Sequence, residues 1–242
     1  PIFLSIIHGQ TGRLTIFSVF SYARPQDYLQ NFLDQGDEKV GSLTYYFFHS
    51  EALNFKRGIM GRWFNHFSGK FLFFEGDWSN PKHSAPNHGL IVLADILLLA
   101  AGLISLFRTN TKFSKFVLLW LVLSPLPAVL SRDQVHGVRS LNMVIPLTLV
   151  SAIGLWQIFT YFFEIKKRDM TRGANTNPPD GWSRFAPLSL IVILILIYLG
   201  SFIYFLDSYF VHLPKHNSKY WEYGYKQVVE TITPIQNQYE SI

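Results

Sequence analysis

Four stretches of the chain are almost wholly apolar, and the polar residues crowd into the segments between them. Residues 89–107 read GLIVLADILLLAAGLISLF, residues 113–130 close on LSPLPAVL, residues 141–163 read LNMVIPLTLVSAIGLWQIFTYFF, and residues 187–206 read PLSLIVILILIYLGSFIYFL. A bilayer core takes about 20 apolar residues to cross as helix, so each stretch predicts a transmembrane span. Pro125 and Pro127 each remove a backbone donor, and a kink or break is expected in the second. The expected fold class is mostly α, a multi-pass helical membrane bundle.

The cations between the spans set an orientation. Arg108, Lys112 and Lys115 separate the first and second stretches; Lys166, Lys167, Arg168, Arg172 and Arg184 separate the third and fourth. Cytoplasmic loops are enriched in Lys and Arg, so both connections are expected inside the cell. Residues 1–88, the loop 131–140 and the tail 207–242 then face outward. The expected organisation is an extracytoplasmic segment 1–88, four spans within 89–206, and from 207 the start of a small extracytoplasmic α/β domain, in an inner or plasma membrane.

Within 1–88, residues 12–22 alternate in part like a strand, and residues 24–40 form a polar, helical stretch. Residues 52–74 mix Leu53, Phe55, Ile59, Trp63, Phe64 and Phe67 with Lys56, Arg57 and Arg62. That mixture suits a helix lying in the membrane interface, since the segment leads toward a span; an amphipathic helix packed on a soluble domain is the alternative. In the tail, Val228, Val229 and Ile232 recur at helical spacing, and residues 237–242 read as a turn entering a strand. With Pro1 at one end and this strand-like pattern at the other, the chain is expected to be a fragment open at both ends.

Charged residues make up only 15% of the chain, against about a quarter in a soluble domain, which favours the membrane reading. The absence of cysteine excludes disulfides, thiolate metal sites and catalytic thiols. The net charge of +5 is divided among loops rather than gathered on one surface, so no nucleic-acid partner is expected. No Walker loop, dinucleotide-binding glycine pattern or HExxH occurs, which leaves no sign of ATP, nicotinamide or protease-type zinc chemistry.

Three places carry candidate chemistry. The loop 131–140 holds Asp133, His136 and Arg139 within seven residues, and Arg presents a planar fork of donors suited to phosphate oxygens. Plain loop solubility, with Arg reaching back to the interface, explains the same residues. Asp95 lies inside the first predicted span, where a carboxylate faces a polar cavity or a partner; Arg139 is the expected partner. Residues 75–88, EGDWSNPKHSAPNH, bring Asp77, Lys82 and His83 close to a membrane entry, beside Glu75 and His88. Two histidines and two carboxylates invite a divalent metal, but their spacing matches no compact motif. No metal or other cofactor is assigned, and the stretch is read as the polar wall of a substrate pocket.

NHFSGKFLFFEGDWSNPKHSAPNHG, followed by a span, resembles the outer-loop signature of bacterial multi-pass glycosyltransferases of the dolichyl-phosphate-mannose protein mannosyltransferase type, family 39. WLVLSPLPAVLSRDQVHGVRSLNMVIPL is similar to their helix–loop–helix with paired prolines and a following Arg, and YWEYGYKQVVETI resembles the start of an outer domain in one bacterial branch. The resemblance implies a GT-C fold and transfer of a sugar from a polyprenyl-phosphate donor to a protein, lipid or glycan acceptor on the outer face. It places the catalytic acid in a first outer loop upstream of Pro1, so no catalytic residue is assigned here. Arg139 and His136, with Lys82 or His83, are the expected phosphate contacts. A transporter or flippase for a lipid-linked sugar, and a non-catalytic membrane scaffold, are the competing expectations.

Overall fold

The computed structural model describes residues 26–172, 182–221 and 224–236. The expected strand at 12–22 and the strand entry at 237–242 lie outside them. Most of the described chain is helical, and among the described residues there is no strand.

Helix α1 (Gln26–Gln35) and a π-helical turn (Tyr45–His49) lead into α2 (Glu51–His66). The α2 N-terminus is capped by Ser50, whose Oγ accepts the Leu53 N–H at 3.4 Å. A second π-helical turn, Lys70–Phe74, ends the polar approach. Helix α3 (Asp95–Thr109) closes on Asn110, whose φ of +48° is the left-handed stop common at helix ends. Helix α4 (Lys112–Leu123) starts on Thr111, whose Oγ1 accepts the Ser114 N–H at 3.1 Å. Beyond it lie the short α5 (Leu126–Val129), the long α6 (Val144–Arg172), α7 (Trp182–Asp207), the short α8 (Leu213–His216) and α9 (Tyr225–Ile232).

The first predicted span differs from expectation. Residues 89–94 are not helical, and α3 begins only at Asp95. The cause is a nonlocal pairing: the Leu90 and Ile91 amides donate to the Phe71 and Leu72 carbonyls at 3.1 and 2.9 Å, and this draws the segment out of a helical path. Fifteen residues of α3 rise only about 22 Å, short of a hydrocarbon core of roughly 30 Å. Among the described residues, three helical segments are long and apolar enough to cross a membrane: Lys112–Val129, Leu141–Glu164 and Ile191–His216. Only 6% of the most apolar 18-residue window of the last is buried within the protein, and Ile195, Leu196, Leu199, Phe202 and Ile203 stand exposed around it. A helix apolar on every side and unburied calls for an apolar solvent.

The paired prolines break the second span as expected, and the freed backbone groups find side chains. Pro125 has no N–H for the Leu121 carbonyl, which instead accepts Ser124 Oγ–H at 2.7 Å. Trp63 Nε1–H donates to the Val122 carbonyl at 3.0 Å, and Arg62 Nε–H to the Val129 carbonyl at 3.0 Å. Helix α2 is thereby fastened along the broken α4–α5 segment.

The tightest packing is between α3 and α6. A Cβ on Gly154 would lie 1.9 Å from the Leu98 carbonyl oxygen, and one on Gly102 would lie 2.0 Å from that of Val150. The two backbones touch, as small residues permit in membrane helices. Around this crossing Leu99, Leu106, Val117, Leu121, Met143, Leu147 and Val150 form one buried cluster, extended by Phe71, Leu72 and Val135 from the loops. The core thus reaches from the helices into the polar end where the candidate residues lie.

Candidate functional site

Three segments that the charge pattern assigns to one side meet at one end of the helices. Gly76, with φ of +61°, turns the chain sharply after the second π-helical turn; a Cβ there would sit 2.9 Å from the His88 carbonyl oxygen. The turn sends Asp77 inward, where it is 1% exposed. Its Oδ1 accepts the Asn80 amide at 3.0 Å, and its Oδ2 accepts the Gly137 amide at 2.6 Å. Asp77 thereby clamps the loop 131–140 onto the segment 75–88. From the tail, Ser208 Oγ–H donates to the Pro86 carbonyl at 2.5 Å, and Asn217 Nδ2–H to the Pro81 carbonyl at 2.7 Å.

Two histidines gather on the buried carboxylate. His83 Nδ1 lies 3.3 Å from Asp77 Oδ2, and His136 Nδ1 lies 3.9 Å from the same oxygen. Their rings are 5.1 Å apart. On the far side of His136, Nε2 faces Asp133 Oδ2 at 3.9 Å, and Asp133 in turn meets Arg139 Nη1 at 3.4 Å. Beneath them His66 is fully buried. Its Nδ1–H donates to the Arg62 carbonyl at 2.7 Å, and its Nε2 accepts the His136 amide at 3.3 Å. Those partners assign the neutral ring with the proton on Nδ1.

Burial pushes the His66 pKa below its ordinary value, against the Arg62 carbonyl and the Asp77 charge, which raise it. Burial is also the largest influence on His136, whose pKa falls further through Arg139 and is held up in part by Asp77 and Asp133.

Two cavities open beside the cluster. One of about 430 Å³ has Asp77, Lys82, His83 and His88 on its walls, together with Tyr209 and Trp221 from the tail. The other, of about 350 Å³, runs between Ile91, Val92 and Leu93 on one side and Gly200, Ser201 and Tyr204 of α7 on the other. His88 lines both. The first cavity carries titratable groups; the second lies against a helix apolar enough to span a bilayer.

The candidates named from sequence therefore divide. Asp77, His83 and His136 converge, although Asp77 and His136 are 59 positions apart. Lys82 is exposed on the wall of the first cavity, and among the described residues it has no carboxylate partner. Asp133 and Arg139 pair with each other beside the cluster. Asp95 does not meet Arg139; its Oδ1 accepts the Tyr198 hydroxyl at 2.6 Å, joining α3 to α7. His66, Asn80 and Tyr198 were not singled out by sequence. The only sign of His66 was its place in the NHFSGK stretch, and no spacing rule links it to a loop 70 positions away.

No protein-family model, curated protein or solved structure matches the chain.

Proposed function

We propose that this chain is part of a multi-pass membrane glycosyltransferase with a GT-C-like helical bundle, which takes a polyprenyl-phosphate-linked sugar as donor at the outer membrane face. One observation carries the reading: a cavity bearing Lys82, His83 and His88 adjoins, through His88, a cavity running along α7. A lipid-linked sugar has that same division, with a charged head at the interface and an apolar tail in the bilayer. Lys82 supplies a positive charge for the phosphate. A cation beside a departing phosphate stabilises it in sugar transfer. The aromatic rings of Tyr209 and Trp221 offer apolar faces of the sort on which a sugar packs. The unburied apolar surface of α7 supports immersion in lipid.

The test is binding of a radiolabelled polyprenyl phosphate to the protein in detergent micelles, with the uncharged polyprenol of equal chain length beside it. The phosphate is expected to bind at least tenfold more tightly, and Lys82→Ala to remove most of that preference, since a tenfold change corresponds to about 1.4 kcal/mol. Equal binding of phosphate and alcohol overturns the reading. Release of sugar from a labelled donor by the protein separates transfer from mere transport.

A further inference from the structure

We propose that Asp77, His83 and His136 form a binding site for a divalent transition-metal ion, with zinc the best match. One donor atom from each residue lies within 4.8 Å of the other two. Zinc takes imidazole nitrogens and carboxylate oxygens at about 2.0–2.2 Å, and a tetrahedral arrangement sets neighbouring ligand atoms roughly 3.3 Å apart. Asp77 Oδ2 is already 3.3 Å from His83 Nδ1 and 3.9 Å from His136 Nδ1. Closing the widest pair by at most about 1.5 Å completes the geometry. Two imidazoles and one carboxylate select zinc or its neighbours over magnesium or calcium, which prefer oxygen donors alone.

The surroundings suit an ion better than a chance meeting of side chains. The Asp77 carboxylate is held from outside the triad by the Gly137 and Asn80 amides, which fix its direction and leave lone pairs for a metal. Asp133 Oδ2 lies 3.9 Å from the remaining nitrogen of His136, and a shift of about 1 Å would bring it into the hydrogen-bonded carboxylate–histidine arrangement that orients metal-bound imidazoles. The Arg139 amide reaches His136 Nδ1 only at 3.3 Å, and a metal would displace that long contact. Asp77 and His83 both line the 430 Å³ cavity, so a fourth ligand, water or a phosphate oxygen, has room to reach the ion. Three protein ligands with one open position is the pattern of a zinc ion that meets substrate. The residues are spread over two loops, which explains why no compact motif marks them.

The test uses tag-free protein stripped with chelator, reloaded with zinc, desalted and analysed for bound metal. The expected result is about one zinc per chain for the wild type and a small fraction of that for His83→Gln and for His136→Gln. Cobalt(II) in place of zinc should give the intense visible absorption of a four-coordinate nitrogen–oxygen site, lost in both variants. Asp133→Asn should weaken zinc binding by about tenfold while leaving the stoichiometry unchanged. Zinc should also raise the thermal midpoint of the wild type but not of either histidine variant, a comparison that remains informative if a variant is less stable. Equal zinc content in wild type and both variants, or no zinc retained by the wild type, overturns the proposal whatever becomes of the sugar-transfer reading.

Discussion

The contact of α3 with α6 makes a prediction whose sign opposes ordinary helix propensity. Replacing glycine by alanine inside a helix usually stabilises it, by about 1 kcal/mol. Gly154→Ala should do the reverse. Its new methyl would stand 1.9 Å from the Leu98 carbonyl oxygen, where carbon and oxygen require about 3.3 Å. The helices must part by more than about 1 Å. A gap of that size forfeits a quarter to a half of the dispersion energy between facing atoms, here those of Leu98, Leu99, Leu147 and Val150. Overpacking of this severity costs about 3 kcal/mol, so the net loss after the propensity gain is about 2 kcal/mol. Gly61 provides the internal control: it lies in α2, and a Cβ there meets nothing within 4 Å. Gly61→Ala should stabilise by about 1 kcal/mol. Denaturant unfolding in detergent micelles, followed by tryptophan fluorescence, measures both. If Gly154→Ala unfolds at the same or a higher midpoint than the wild type, the backbones do not touch as described.

Two further predictions concern the polar groups of the fold. Ser124→Ala strips the buried Leu121 carbonyl of the donor that stands in for the missing proline amide, and should lower stability by about 1–3 kcal/mol in the same unfolding assay; an unchanged midpoint would mean that another donor takes its place. For His66, burial holds the folded pKa below its ordinary value of 6.5. On acidification the unfolded chain binds the proton first, so the His66 contribution is complete above pH 6.5 and is lost as pH falls from there through the lowered folded value. Metal-free wild type should therefore unfold at lower denaturant near pH 5 than near pH 8, and His66→Gln should flatten that difference; a wild-type midpoint that does not fall with acid refutes the assignment.

Much of the helical layout could be read from periodicity, because lipid-length apolar runs have few alternatives. Residues 113–130 and 141–163 fall on helices, and the proline break lies where the missing amides require it. The start of α3 was not legible: Gly89 to Ala94 are as apolar as the helix after them, and only the nonlocal bonds to Phe71 and Leu72 take them out of it. Nor could the pairing of Asp95 with Tyr198 be read, since a hydroxyl on an otherwise apolar helix carries no pattern. Asp77, His83 and His136 were each conspicuous by residue type. Their convergence was not, because it depends on how one loop folds over another.

Asp77 and His66 hold the loop 131–140 by the amides of Gly137 and His136, not by any side chain of that loop. Every amino acid but proline offers the same amide. Substitutions at the two donating positions can therefore leave these anchors intact, while removal of the acceptor at Asp77 or His66 cannot. A saturation-mutagenesis map should be lopsided for these two bonds, and paired-substitution statistics would overlook contacts on which the loop depends.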